Sequence, residues 1–234
     1  MAVQIVFNRY EKKYLLDDDT YKKFKSELDN YMTEDEYGLH TIRNIYFDTE
    51  DNELIRTSIE KPKYKEKFRI RCYGEPKEQG KYFLEIKKKY NGLVNKRRMV
   101  LPIEEALNYI EKGITPETKG QIFNEIDYFL GHYNLYPKRY IAYDRLAMFG
   151  NEDPNFRVTF DINIRSRVDN LTLDWDNDNE YLLSAGYHLM EVKISDAMPL
   201  WFARLLSKYE IYDTSFSKYG NFYKRQLAEE KRAQ

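Results

Sequence analysis

Residues 65–71 read KEKFRIR, and residues 84–101 read LEIKKKYNGLVNKRRMVL. A β-strand points successive side chains to opposite faces. Lys67, Arg69 and Arg71 therefore share one face, and Phe68, Ile70 and Cys72 the other. Asn91-Gly92 is a strong hairpin signal, because both residue types tolerate the positive φ of a type I′ turn. A two-residue loop there sets Tyr90 against Leu93, Lys87 against Lys96 and Glu85 against Arg98. Glu85, Lys87, Lys96 and Arg98 then share a face; Leu84, Ile86, Met99 and Leu101 lie opposite, with Arg97 the exception. Arginine forks grip phosphate oxygens in pairs and lysines act as point charges, so such a face suits phosphate. The acidic residues on these faces are singles: Glu11, Glu85, Asp161 and Glu191. A hard divalent ion such as Mg²⁺ or Mn²⁺ needs one or two carboxylates when phosphate oxygens supply the rest.

Like charges directly opposite, such as Lys87 and Lys96, weaken a sheet. Salt water offsets that repulsion on an open surface; a polyanion and a metal ion offset it inside a barrel. The elements that position these residues decide between the two. Arg9, Glu11 and Lys13 alternate with Tyr10, Lys12 and Tyr14, and Arg145 follows Tyr143. Arg157, Thr159 and Asp161 oppose Val158, Phe160 and Ile162; Glu191 and Lys193 oppose Met190, Val192 and Ile194. The patterning predicts strands over 3–15, 39–48, 64–73, 80–90, 93–101, 138–148, 156–164 and 187–195. It predicts helices over 17–31, from Pro102 onward, and over 117–131, 198–208 and 217–230. Segment 169–187 reads as a loop, and 228–234 as a fraying helix end.

An antiparallel sheet with one solvated face shows the same alternation. Two features favour an enclosed face: the bias of the polar faces to Arg and Lys, and helices that need apolar sheet surface to pack on. The expected fold class is α+β, with at least eight strands in a closed or nearly closed antiparallel barrel and helices inserted between them.

Composition bounds the rest. Lys and Arg number 38 against 39 Asp and Glu, a formal net charge of −1, so any anion site is local and a nucleic-acid coat is not expected. One cysteine, Cys72, allows no disulfide within the chain and fits a reducing compartment. The start, MAVQIVFNRYEKKYLL, does not read as a signal peptide, and no window approaches a membrane span, so a cytoplasmic location is expected. His40, His132 and His188 lack zinc-ligand spacing.

In order along the chain stand RYEKKYLL, YFDT (46–49), KFRIR (67–71), LEIKKK (84–89), YDR (143–145), RVTFDINIR (157–165), MEVKIS (190–195) and SFSKYGNFY (215–223). Together this set resembles the VTC (vacuolar transporter chaperone) polyphosphate polymerase domain of the triphosphate tunnel metalloenzyme superfamily, which also includes the CYTH proteins. The resemblance spans about residue 8 to 224. It implies an α+β fold, an eight-stranded antiparallel β tunnel with helices packed on the outside and residues 1–234 forming a single domain, whose basic lining transfers the ATP γ-phosphate to a growing polyphosphate chain, with Mn²⁺ or Mg²⁺. It also implies phosphate ligands at Lys13, Arg69, Arg71, Lys87, Lys96, Arg145, Arg157, Lys193, Ser217 and Lys218, of which Arg69, Arg71, Lys87, Arg145, Arg157 and Lys218 carry the chemistry. Glu191 is the implied metal ligand, with Glu11 or Glu85 assisting. A membrane-protein partner follows from the same resemblance, since polymerases of this family work with anchored subunits.

Two positions depart from the superfamily pattern. Arg9 stands in the first acidic place of E-x-E-x-K, which disfavours cyclase or thiamine-triphosphatase chemistry. Ser215 stands where a basic residue is expected before the final FSK. Duller roles compete for several residues. Glu11 pairs with Arg69 or a lysine, and Glu85 with Arg98. Asp48 caps a strand end, and Ser217 caps the last helix. Lys12, Lys88 and Lys89 are solvated, Arg43 is ambiguous, and Trp201 and Phe202 are core. The alternative functions are a tripolyphosphatase or nucleoside triphosphatase on the same tunnel, and a polyphosphate-binding module without turnover.

Overall fold

Asn91 and Gly92 both take positive φ, 46° and 90°, as a type I′ turn requires. The hairpin they close has the expected register, with Lys87 opposite Lys96 and Glu85 opposite Arg98. The computed structural model describes residues 6–77, 80–174, 176–194 and 197–233, with side chains between Tyr10 and Arg232. The strands are β1 (Val6–Asp17), β2 (Met32–Glu34), β3 (His40–Asp48), β4 (Tyr64–Tyr73), β5 (Tyr82–Tyr90), β6 (Leu93–Leu101), β7 (Tyr136–Gly150), β8 (Arg157–Arg167), β9 (Glu180–Tyr181) and β10 (Tyr187–Ile194). The helices are α1 (Asp18–Leu28), α2 (Glu53–Ile59), α3 (Ile103–Lys112), α4 (Gln121–His132), α5 (Leu200–Lys208) and α6 (Lys218–Ala233).

Eight strands close a ring in the order β7-β3-β4-β5-β6-β1-β10-β8 and back to β7, antiparallel at every step. β2 and β9 are short additions outside the ring, paired to β7 and β8. The predicted eight-stranded tunnel forms because the apolar faces turn outward under helices. α3 and α4 cover Phe68, Ile70, Leu84, Ile86 and Met99 with Ala106, Phe123, Ile126 and Phe129. α1 and α5 cover Tyr14, Val158, Phe160, Met190 and Val192 with Phe24, Leu28, Phe202 and Leu205.

α6 does something else. Its Tyr219 and Phe222 pack against Ile42, Tyr46, Ile141, Tyr143 and Leu189. The strand registers put those five on the ring's inner face, so α6 enters the tunnel at one end. α2 and the two short strands have no counterpart in the sequence patterning. Asp48 explains α2: its carboxylate accepts from the Thr49, Leu54 and Ile55 backbone N–H groups at 2.8–2.9 Å and from Tyr219 Oη at 3.2 Å. Asp48 is thus a cap, for the helix that follows rather than the strand alone. Segment 169–187 is pinned as well, apart from Trp175, which lies outside the described residues. Asp176 accepts from Arg165 at 2.5 Å and Tyr140 at 3.0 Å, and Arg167 donates to the Asn170 and Thr172 carbonyls. Predicted strand residues 3–5 and Ser195, and the end of the fraying helix at Gln234, lie outside the described residues. No helix among the described residues is long and apolar enough to cross a membrane.

Candidate active site

The ring lines a cavity of about 1740 Å³ that opens to solvent at the rim. Period-two alternation on closed antiparallel strands delivers the charged faces to it from all sides. Arg69 and Arg71 come from β4, Lys87 from β5, Lys96 from β6 and Lys13 from β1. Lys193 comes from β10, Arg157 from β8 and Arg145 from β7, while Ser217 and Lys218 enter with the start of α6. Glu11 and Glu191 line the same space. Of the side chains expected in the site, Glu85 alone does not reach the cavity surface.

Glu85 is wholly buried beneath the cations it serves. Arg69 donates to Oε2 through Nε and Nη2 at 2.8 and 2.7 Å, and Lys96 donates to Oε1 at 3.2 Å. Burial opposes its charge, yet Lys96, Arg71 and Arg69 hold the carboxyl well below the usual range. Its partners are thus Arg69 and Lys96 rather than Arg98, which stacks on Phe83. With both oxygens engaged by cations, Glu85 acts as their counter-ion.

Asp161 plays the matching part on the far wall. It takes Arg145 bidentately at 2.6 and 2.7 Å and Lys218 at 2.5 Å. Burial would raise its pKa, but Arg145 and Lys218 bring it down to about 2. Tyrosines and amides fix the remaining forks. Arg69 donates to Tyr46 Oη at 2.7 Å, and Arg71 to Asn44 Oδ1 at 2.8 Å and Tyr143 Oη at 2.9 Å. Patterning of charges alone did not reveal Asp161, Tyr46, Asn44 and Tyr143 as anchors, since each works through a strand distant in sequence. Their only signal was a place on the inward parity.

Glu11 and Glu191 sit on adjacent strands, Glu11 opposite Lys193 and Glu191 opposite Lys13. Lys87 donates to Glu11 at 2.5 Å; Lys13 and Lys193 each stand 3.7 Å from Glu191. Burial and the neighbouring Glu191 charge raise the Glu11 pKa, but Lys87 and Lys13 lower it further. Burial likewise raises that of Glu191, while Lys193, Lys13 and Lys87 keep it well below the usual range. Among the described residues no group of three His, Cys, Asp or Glu side chains is set to hold a metal. Two ionised, cavity-facing carboxylates do fit a hard divalent ion that draws its other ligands from water and substrate phosphate. Arg9, on the same strand, has its side chain outside the described residues.

Where α6 enters, Ser217 Oγ accepts from the Gly220 N–H at 3.1 Å, capping the helix, and from Lys67 Nζ at 2.9 Å. The first-turn residues Lys218 to Asn221 line the cavity, where a helix start favours an anion. Ser215 stands exposed at the cavity edge. Arg43 lies outside the tunnel, bound to the Gly74 carbonyl and Glu75. Lys12 and Lys88 pair loosely with Asp213 and Glu66. Lys89, expected in solvent, lines the cavity. Phe202 is core; Trp201 is half-buried and stacks on Tyr31.

The VTC domain family model matches residues 8–226. No curated protein matches the sequence significantly. Among solved structures, a candidate adenylate cyclase of Bacillus halodurans aligns at 16% identity and TM-score 0.55, covering 92% of this chain and 96% of its own. A candidate adenylyl cyclase of Hippeastrum, with a dominant triphosphatase activity, aligns at 16% identity and TM-score 0.57, covering 92% and 95%. At such identity these two likenesses speak for the fold alone.

Proposed function

Because this chain belongs to the VTC domain family, we propose that it is a polyphosphate polymerase working as one tunnel domain, with ATP as phosphoryl donor. The observation that carries this reading is one shared cavity lined by Arg69, Arg71, Arg145, Arg157 and several lysines around a two-carboxylate patch. Phosphoryl transfer asks a protein to align reactants and stabilise spread charge, and preset guanidinium forks do both. A terminal oxygen of the acceptor chain attacks the γ-phosphorus of ATP, the bond from that phosphorus to the β-bridging oxygen breaks, and ADP leaves. Arg69 and Arg71, held by Glu85, Tyr46 and Asn44, orient phosphoryl oxygens from one wall. Arg145 and Lys218, held by Asp161, do so from the other, and Arg157 adds charge from β8. Lys13, Lys87, Lys96, Lys193 and Ser217 bind flanking phosphates. Glu11 and Glu191 would hold Mg²⁺ or Mn²⁺, which when bound neutralises phosphate charge and polarises the reacting phosphoryl group.

The test is incubation with ATP and Mn²⁺ or Mg²⁺. Acid-labile polymer and stoichiometric ADP are expected; their absence across metals and acceptors rejects the reading. Glu191→Gln should abolish stimulation by the divalent ion while leaving metal-free tripolyphosphate binding within about threefold, since it removes no phosphate contact. The triphosphatase activity of the Hippeastrum neighbour supports a second reading, tripolyphosphate hydrolysis in the same tunnel. Phosphate release from tripolyphosphate without chain growth would select it.

A further inference from the structure

The tunnel's counter-ions are unevenly placed. Glu85 serves Arg69 and Lys96, Asp161 serves Arg145 and Lys218, Glu11 serves Lys87, and Glu191 stands by Lys13 and Lys193. At the β4–β5 wall the register continues past this compensated zone. Lys67 lies opposite Lys87, and Lys65 opposite Lys89, on the inner face. All three of Lys65, Lys67 and Lys89 are partly buried and line the cavity. No carboxylate of a described residue stands within 4.0 Å of their amines. Lys67 Nζ donates to Ser217 Oγ at 2.9 Å and Lys65 Nζ to the Ser58 carbonyl at 3.0 Å, both neutral acceptors. Like charges facing across strands destabilise a sheet, and while Glu11 relieves Lys87, no carboxylate of a described residue pairs with Lys65, Lys67 or Lys89.

We propose that Lys65, Lys67 and Lys89 form a second anion subsite, leading from the tunnel's centre to its rim beside α2, for phosphoryl groups of linear polyphosphate beyond those gripped by the arginines. This rests on the polyphosphate reading above. The residue type fits the task. Arginines impose a bidentate geometry suited to a fixed reacting group, whereas lysines are point charges on flexible stems. A row of lysines tolerates any register of a uniform polyanion, so a chain can advance one unit without losing a defined contact. Burial, with Lys13 and Lys87 nearby, depresses the Lys67 pKa well below its ordinary value, and burial with Lys89 and Lys61 depresses that of Lys65. An anion bound beside these amines favours their charged form.

The experiment compares the affinities of the wild type and of K65Q/K89Q for tripolyphosphate and for long-chain polyphosphate. Removing like-charge neighbours relieves repulsion, so the variant should fold with an unchanged or raised Tm. The wild type should bind the long chain more tightly than the short one. The double variant should lose that advantage by about tenfold, the scale of two charge-assisted contacts, with tripolyphosphate affinity changed less than about twofold. K67Q, nearer the centre, should weaken both ligands, the long chain more. An affinity in the wild type that does not grow with chain length overturns the subsite. So does a double variant that keeps the growth, or one that loses both ligands equally. If the wild type binds neither ligand, the polyphosphate reading itself fails and the subsite with it.

Discussion

Lys96 sits opposite Lys87 and beside Arg69 and Arg71, with Glu85 as its partner. Burial depresses its pKa more than Glu85 restores it, leaving about 8. Tyr73 arrives near the same value from the other side: burial raises its pKa, but Arg71 outweighs that and lowers it to about 8. As pH rises through 8 the tunnel therefore loses a positive charge and gains a negative one. Tripolyphosphate affinity should be full below about pH 7 and fall steadily toward about pH 9, and Lys96→Met should flatten part of that fall. Isothermal titration across the range checks it, and affinity that rises with pH contradicts it. Asp161 governs the acid side. Its folded pKa of about 2 lies below the ordinary 3.8, so its stabilising contribution is present above pH 3.8 and is lost as pH falls through 2. Asp161→Asn should cost on the order of 2 kcal/mol at neutral pH, and the deficit should shrink in acid. Urea unfolding at several pH values reads both quantities.

Among the elements, the β5–β6 hairpin carries the most local information. Gly92 holds φ 90°, and a β-carbon there would meet only the Tyr10 ring at 3.7 Å, so a substitution costs backbone strain rather than a clash. Gly92→Ala should destabilise the protein by about 1–2 kcal/mol. It should also weaken phosphate binding, because the turn sets the register that places Lys87 and Lys96 on one face. α6 is the opposite case. Its helical period was legible, but its place in the tunnel end depends on Tyr219 and Phe222 meeting inner-face residues of β3, β7 and β10. α2 was not legible at all: seven residues ending Thr57-Ser58-Ile59 have weak helical preference, and the cap that starts them, Asp48, belongs to β3. β2 and β9, three and two residues long, exist only because β7 and β8 offer them a partner edge.

At the scale of the molecule, a chain of formal net charge −1 concentrates cations in its interior. That arrangement stores repulsion which a bound polyanion relieves. Tripolyphosphate at a hundredfold excess over its Kd should therefore stabilise the fold by about 2.7 kcal/mol, visible as a raised Tm. The shift should shrink with added salt, though less steeply than for an exposed patch, because enclosed charges are poorly screened. A Tm indifferent to tripolyphosphate at low salt would contradict an anion tunnel.

What the linear sequence determined by itself was parity: which side chains share a face, where the hairpin turns, and that each long strand has an apolar and an ionic side. Those are consequences of backbone geometry acting over two to four residues, so local patterning suffices to read them. Whether the ionic sides meet in one cavity, and which carboxylate neutralises which cation, was settled by ring closure. Arg145 finds Asp161 sixteen residues away and Lys218 joins them from fifty-seven, while Lys87 meets Glu11 across seventy-six. Such pairings depend on sheet register and on α6 entering the tunnel end, and no spacing along the chain encodes them.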